Sequence, residues 1–523
     1  MGMNLTSQPL VYLIAFQEQD NLGIGYIASV LLENDIRVKL VDFRVDYETI
    51  LENIKRDEPQ IIGLSIIFQY HLEEFKKLVE YLKSNGVKSF FTAGGHYPSL
   101  KYEELMNYIP DLDSIILFEG EHTFLELVNA LKNNESVSDI KGLVLKTKDG
   151  IKVNSLRELE ENIDEFPLPV RQSLKEYALK RNYATIIAGR GCLYNCSFCS
   201  IREFYKAPPG SLKRIRKPDM VVREMELLHK EKGADIFIFQ DDDFPIGKSS
   251  NRKWILEFCE ELKKKNLYGK ILWKISIRVD EADRDILKIL KDAGLFLVYL
   301  GIESGTDKGL VSMNKHTTVE ANKIAVNILK ELGINYDFGF MLLDPYSTEK
   351  SINDNFDFLE SICADGSAPV SFCKMIPYAK TPVEEKLIQE GRLIGPIYRR
   401  DYKFLDERLD FYYLFIVELF YSWFFMREGF LGVIRSLRYC CDIYERFYEP
   451  LGNEFKEEVR TLVMCGNKYF IGLGRKILSQ LYTEGIEKTW EFVTSIKNEV
   501  IKKHEDYVIK GKELTAVIEN KVR

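Results

Sequence analysis

Three of the nine cysteines fall together in Gly191-Cys192-Leu193-Tyr194-Asn195-Cys196-Ser197-Phe198-Cys199. The spacing C-x3-C-x2-C lets three thiolates converge from one loop onto one metal centre. A structural zinc site takes four protein ligands, and no fourth Cys or His lies near in the sequence. Three thiolates suit a 4Fe–4S cluster that keeps one iron open; zinc completed by a distant ligand is the alternative. The first 191 residues hold no cysteine and the total is odd, which reads as a reduced compartment with a metal site rather than a disulfide framework. Cys259, Cys363, Cys440, Cys441 and Cys465 read as small buried hydrophobes. Cys373 reads as a core residue of a strand rather than a hydrogen donor.

A second pattern lies near the start. Gly23-Ile24-Gly25-Tyr26-Ile27-Ala28 matches G-x-G-x-x-A, and Asp42 follows about 20 residues on, the form of a dinucleotide fingerprint. Its first glycine should sit in the tight turn leaving a strand, so that a pyrophosphate meets the helix N-terminus. Here residues 17–22 intervene, and the spacing argues against NAD or FAD.

These residues need elements to hold them. Residues 1–135 alternate short apolar runs (10–16, 38–42, 61–68, 90–93, 114–117) with amphipathic helical patterns (24–34, 47–56, 72–84, 102–108, 123–132). That alternation predicts a doubly wound parallel sheet, whose ligands bind at the carboxyl ends of the strands. Residues 136–180 read as a connector, with Pro167 and Pro169 marking extended chain. Strands at 185–188, 236–240, 272–278, 297–303, 336–343 and 369–376, separated by helices such as 220–229, 253–265 and 319–332, predict six βα units of a full or partial barrel, with chemistry at the strand C-termini. Residues 397–523 lack strand patterns and read as helical, for example at 453–464 and 488–503.

At 523 residues, roughly three to four domains are expected. Hydrophobic residues make up 46% and charged residues 29%, which excludes a disordered, collagen-like or disulfide-scaffold chain. The net charge of −8 gives no broad field for nucleic acid or anionic lipid. The run Lys213-Arg214-Ile215-Arg216-Lys217 reads as a solvated or folded loop. No basic segment precedes the apolar run at 10–16, so no secretory leader is expected. Residues 411–426, FYYLFIVELFYSWFFM, are too short to span a bilayer and read as a buried helix; membrane-surface contact or an apolar substrate wall is the alternative.

The cysteine run after a first barrel strand resembles the radical S-adenosylmethionine (SAM) superfamily. The resemblance implies that Cys192, Cys196 and Cys199 hold a 4Fe–4S cluster whose open iron binds SAM, with Phe198 near the adenine. It continues in Gln240-Asp241-Asp242-Asp243-Phe244, where Asp242 is favoured to receive the SAM ammonium, in Arg278 of the third strand, and in Gly301-Ile302-Glu303-Ser304-Gly305, which puts Glu303 and Ser304 along SAM. Met375-Ile376-Pro377-Tyr378-Ala379-Lys380-Thr381-Pro382 also resembles a run at the end of such barrels. Two departures stand out. Leu342-Leu343-Asp344-Pro345-Tyr346 replaces the usual glycine-rich loop, and Lys380 stands where a small residue is usual.

The N-terminal part is similar to the cobalamin-binding domain of one branch of that superfamily. The residues carrying this are the segment around Gly23 and Gly25, Gly63-Leu64-Ser65, Gly94-Gly95-His96 and Glu119-Gly120-Glu121-His122. The implied cobalamin contacts are Gly23, Gly25, Ser65, Gly94, Gly95, His96, Glu119, Gly120 and Glu121. None of the six histidines falls in D-x-H-x-x-G, so no histidine is expected on cobalt. The implied organisation is a cobalamin-binding domain over 1–135, a connector over 136–180, a partial (β/α)6 radical SAM barrel over 181–392 and an all-α domain over 393–523.

The resemblance implies a methyltransferase that uses a 5′-deoxyadenosyl radical and methylcobalamin on an unactivated carbon or phosphorus of a small molecule. The substrate would enter between the corrin and the barrel mouth. Cobalamin-linked cyclisation, rearrangement or oxidation without methyl transfer is the alternative, with a non-catalytic binding module as a second class. A methylthiotransferase is disfavoured, since the N-terminal domain has no cysteines for a second cluster. A one-electron reductant such as a flavodoxin or ferredoxin, no nucleic acid and a cytoplasmic location complete the expectation.

Overall fold

Short apolar or alternating runs of three to six residues, bracketed by polar turns, set the first sheet. Its parallel strands are β1 (Leu10–Ala15), β2 (Arg37–Asp42), β3 (Ile61–Ser65), β4 (Phe90–Gly94) and β5 (Ser114–Ile116), in the order β2-β1-β3-β4-β5. Strand β1 is buried along its whole length, as a strand covered on both faces must be. Asn21 and Asp46 cap the helices Leu22–Glu33 and Tyr47–Asp57 by accepting backbone N–H bonds, which fixes where each helix leaves its loop. The computed structural model describes residues 8–17, 20–172, 174–246 and 249–522. The stretch ahead of residue 8, which bears on the leader expectation, lies outside the described residues.

The expected connector is more than a linker. Strands β6 (Leu143–Thr147) and β7 (Gly150–Val153) form an antiparallel hairpin that extends the sheet from β5. Strand β7 is mostly exposed, so its polar sequence carries no apolar run to betray it. Gly150 takes φ +119 at the turn.

The second sheet begins with a hairpin, β8 (Lys175–Ala178) and β9 (Arg181–Ile186). A two-stranded ribbon follows, β10 (Gly189–Gly191) against β11 (Lys213–Ile215). Then come β12 (Ala234–Phe239), β13 (Leu272–Arg278), β14 (Leu295–Glu303), β15 (Asn335–Leu343) and β16 (Cys373–Lys374). The sheet runs β16-β15-β14-β13-β12-β9-β8, parallel throughout except β8. These six parallel strands form the expected partial barrel. The last is far shorter than the predicted 369–376, and its register with β15 shifts between Met341 and Leu343.

Contacts divide the chain into two compact units. The first combines Met1–Leu174 with Gly189–Arg216 and Pro377–Asp401; the second combines Lys175–Ala188, Lys217–Ile376 and Tyr402–Arg523. The ribbon and the cysteine loop thus fold with the N-terminal sheet, and the C-terminal helices fold with the barrel. In that second unit Asn467 accepts from the Val370 amide and donates to the carbonyls of Cys363 and Ala368. Helix Arg408–Phe424 buries Tyr412, Phe415, Ile416, Phe420 and Trp423 but leaves Leu414 and Tyr421 exposed. No described helix is long and apolar enough to cross a membrane.

Candidate active site

The cysteine loop is fastened at its base by charge. Arg190, two positions before Cys192, donates to Glu119 at 3.0 Å and to Glu121 at 2.8 Å. Arg214 of β11 donates to both oxygens of Glu119 at 2.8 Å and to the Glu160 carbonyl at 2.7 Å. The Arg190 guanidinium also lies 4.7 Å from the ring centre of Tyr26 and 5.3 Å from that of Phe166. Burial opposes ionisation of Glu119, but Arg190 and Arg214 outweigh it and hold the carboxyl below the usual range. Gly191 takes φ +84, and a Cβ there would stand 1.9 Å from the Leu212 carbonyl oxygen, so only glycine fits between arginine and cysteine.

Cys192, Cys196 and Cys199 form no disulfide and are each partly exposed, and the Cys199 amide donates to the Cys196 carbonyl at 3.1 Å. Phe198 is partly buried beside them. The far side of the loop is held by the segment from Pro377: the Val383 amide donates to the Ser197 carbonyl at 3.1 Å. Thr381 caps helix Pro382–Gln389, and Lys380 stands at φ +61. A left-handed backbone explains why a small residue is usual there; this chain carries the strain of a lysine. Among the described residues no three His, Cys, Asp or Glu side chains stand in metal-holding geometry. The donor set itself fits an iron–sulfur cluster: three cysteine side chains, partly open, on one short anchored loop.

The remaining N-terminal candidates are brought to the carboxyl ends of the first sheet, with differing roles. The G-x-G-x-x-A run falls inside helix Leu22–Glu33 rather than in the turn before it, so no dinucleotide turn exists. Gly23 is exposed at the first turn. Gly25 is committed to the chain, since its carbonyl accepts from Val170 at 3.0 Å and a Cβ would meet the Val170 oxygen at 2.7 Å. Ser65 and Gly94 pair at the ends of β3 and β4. Gly95 takes φ +110, with its Cβ position 2.6 Å from the Ile66 oxygen. Gly120 precedes helix Glu121–Asn133, while Glu119 and Glu121 are occupied by the arginines. His96 stacks on Phe204 at 4.3 Å. Its Nε2 is buried without a hydrogen-bond partner, and burial pushes the imidazole down to about 4. An orphaned polar atom among glycine-lined strand ends fits an amide-fringed cofactor such as cobalamin.

In the second unit the strand ends carry a separate constellation. Of the three aspartates after β12, Asp241 accepts the Ala188 amide through both oxygens at 3.0 Å, and Asp243 is buried. Asp242 alone has an exposed side chain. Arg278 is buried, paired with Asp280 at 2.9 Å, and donates to the Lys315 carbonyl at 2.5 Å. Lys315 in turn reaches Glu303 at 3.1 Å. Glu303 holds φ +66 at the end of β14, a strained position of the kind kept at functional sites. Ser304 is turned into the protein, 3.4 Å from Asn355 Oδ1. Lys315 is buried, and nothing in Met313-Asn314-Lys315-His316 announces it in the sequence. The replaced loop after β15 closes on itself, with the Tyr346 amide donating to Asp344 at 2.7 Å.

Comparison with known proteins agrees with this arrangement. Residues 186–359 match the model of the radical SAM superfamily, and residues 14–128 match that of the B12 binding domain. An uncharacterised methyltransferase of Pyrococcus horikoshii is 27% identical over 387 residues, 72% of this chain and 81% of that protein. The anaerobic magnesium-protoporphyrin IX monomethyl ester cyclase of Rubrivivax gelatinosus is 26% identical over 422 residues, 78% of this chain and 73% of its own. Among solved structures, the cobalamin-dependent S-adenosylmethionine radical enzyme OxsB with aqua-cobalamin bound shares the fold. Its TM-score is 0.70 at 18% identity, covering 99% of this chain and 80% of that one.

Proposed function

The chain belongs to the radical SAM superfamily, in the branch that carries a B12-binding domain ahead of the radical SAM domain, and from that premise we propose that it is a methyltransferase for an unactivated carbon or phosphorus of a small molecule. The observation that carries the reading is the succession of the two domains on one chain, shared with a methyltransferase over most of both lengths. When bound, the cluster and cobalamin supply the electron that cleaves SAM and the methyl group that is transferred.

The chain's own residues then have positioning work. Cys192, Cys196 and Cys199 would hold the cluster, and Arg190 with Glu119 and Glu121 would keep their loop in register. Asp242, exposed at the end of β12, suits an ammonium by charge-assisted hydrogen bonding. Arg278 and Glu303, linked through Lys315, would shape the rest of the SAM site. Phe198 would lie against the adenine. Ser304 would act by fixing the turn after Glu303 rather than by direct contact. A flavodoxin or ferredoxin as electron donor and a cytoplasmic location accompany the reading.

Cyclisation or oxidation without methyl transfer is the second reading. It is supported by the cyclase relative and by the self-closed Asp344-Pro345-Tyr346 turn in place of a glycine-rich loop. Anaerobic reconstitution with iron, sulfide and hydroxocobalamin tests both. About four irons and one cobalamin per chain, 5′-deoxyadenosine from SAM, and label from methyl-labelled SAM in the product are expected. Deoxyadenosine without labelled product would select the second reading, and no deoxyadenosine would overturn both.

A further inference from the structure

The barrel interior of the second unit carries positive charge that the fold does not consume, and we infer that Lys274 and Arg435 form an anion subsite for a phosphate- or carboxylate-bearing substrate. The inference deepens the proposed function by naming a substrate class, and it rests on that reading.

Alternation along β13 places Lys274, Ser276 and Arg278 on one face. Register pairs Ser276 with Tyr299 and Tyr299 with Asp337, and the next inward layer is Arg278, Gly301 and Gly339. Helix Phe430–Phe447 brings Arg435, Arg438 and Tyr439 to Asp337. Three cations therefore gather around one carboxylate, whose oxygens are already shared by Tyr439, Arg438 at 3.3 Å and Arg435 at 3.3 Å. Asp442, hydrogen-bonded by Asn335, is pushed up to about 7 by burial, which weakens it as a counter-charge.

Arg438 is committed to the fold, with further bonds to Asn335 Oδ1 at 2.8 Å and the Ser367 carbonyl at 2.9 Å. Lys274 is not, and Arg435 is held only by its contact with Asp337 among the described residues. Among the described residues the Lys274 ammonium has no hydrogen-bond or ion-pair partner; its neighbour is the face of Tyr299, 5.6 Å from the ring centre. The Arg435 Nε is buried without a hydrogen bond. Burial also pushes the lysine down from its ordinary range. A half-buried ammonium beside the Arg435 guanidinium is costly to maintain unless a further anion completes it. Lys274 stands four residues, about 13 Å, below the strand end at Arg278. The substrate would thus hold its anionic group well away from the reacting atom.

Inorganic phosphate is the probe, titrated into the full chain by isothermal calorimetry, with acetate as competitor. One saturable, acetate-competed site per chain is expected. Lys274→Met should weaken it by about thirtyfold and Arg435→Gln should weaken it too. Lys274→Arg should retain it, and Lys308→Met, on an exposed lysine, should leave it unchanged. Thermal unfolding checks each variant's fold; if Lys274→Met does not fold, Arg435→Gln decides. Phosphate binding that ignores both substitutions, or no saturable binding, would overturn the subsite. Deoxyadenosine formation by the reconstituted wild type separates the two failures: its presence without phosphate binding sinks the subsite alone, and its absence with phosphate binding sinks the radical SAM reading alone.

Discussion

Arg190 joins the cysteine loop to the carboxyl end of the first sheet within the first unit. Its carboxylate partners, Glu119 and Glu121, were expected to face a corrin, yet both are spent on the base of the cysteine loop. Their motif was legible in the sequence; their partner was not, because Arg190 is 69 and 71 positions away and ion pairing leaves no local pattern. His96 offers a test at this scale. Its folded value of about 4 lies below the ordinary 6.5, so between those values the unfolded chain binds more protons than the folded one. The stabilising contribution is full above pH 6.5 and is lost as pH falls through 4. His96→Gln should flatten the acid side of the stability profile by up to about 1.4 kcal/mol per pH unit in that window, read by denaturant unfolding at stepped pH. An unchanged slope would mean that His96 is solvated.

Among elements, the ribbon β10–β11 decides the placement of the cysteines. The apolar pattern predicts a first barrel strand ending at residue 188, with the cysteine loop directly after it. The strand stops at Ile186, and three-residue strands with Gly189 and Gly191 carry the chain into the loop. So short a ribbon has no hydrophobic period to read, and glycines at its strand positions look like loop. Gly191→Ala should destabilise the chain by more than about 1 kcal/mol and lower the iron retained after reconstitution. Wild-type iron content in that variant would show that the loop tolerates a displaced β11. The same scale explains the missed hairpin β6–β7, whose outer strand is too exposed to alternate visibly, and the shortened β16.

At the scale of the molecule, the helical C-terminus is part of the barrel's own unit. Arg438 and Tyr439 reach Asp337, and Asn467 closes backbone groups at residues 363, 368 and 370. A chain ended after Asp401 would leave the Asp337 carboxylate without its paired arginines, a loss of about 3–5 kcal/mol for a buried pair. Limited proteolysis should therefore digest the truncated barrel under conditions that spare the full chain, and equal resistance would show that the helices are dispensable. Such a truncation would thus test folding before it could test whether helix Arg408–Phe424 walls an apolar substrate. The sequence by itself determined the two α/β sheets, the succession of their main parallel strands along the chain, the three-cysteine loop and the family, because hydrophobic period and motif spacing are local properties. Tertiary structure alone decided that the cysteine loop folds with the N-terminal sheet, that Lys315 joins Arg278 to Glu303, and that Lys274 meets Arg435 inside the barrel. Each of those depends on side chains meeting across long stretches of sequence, where burial and charge pairing select partners that no spacing records.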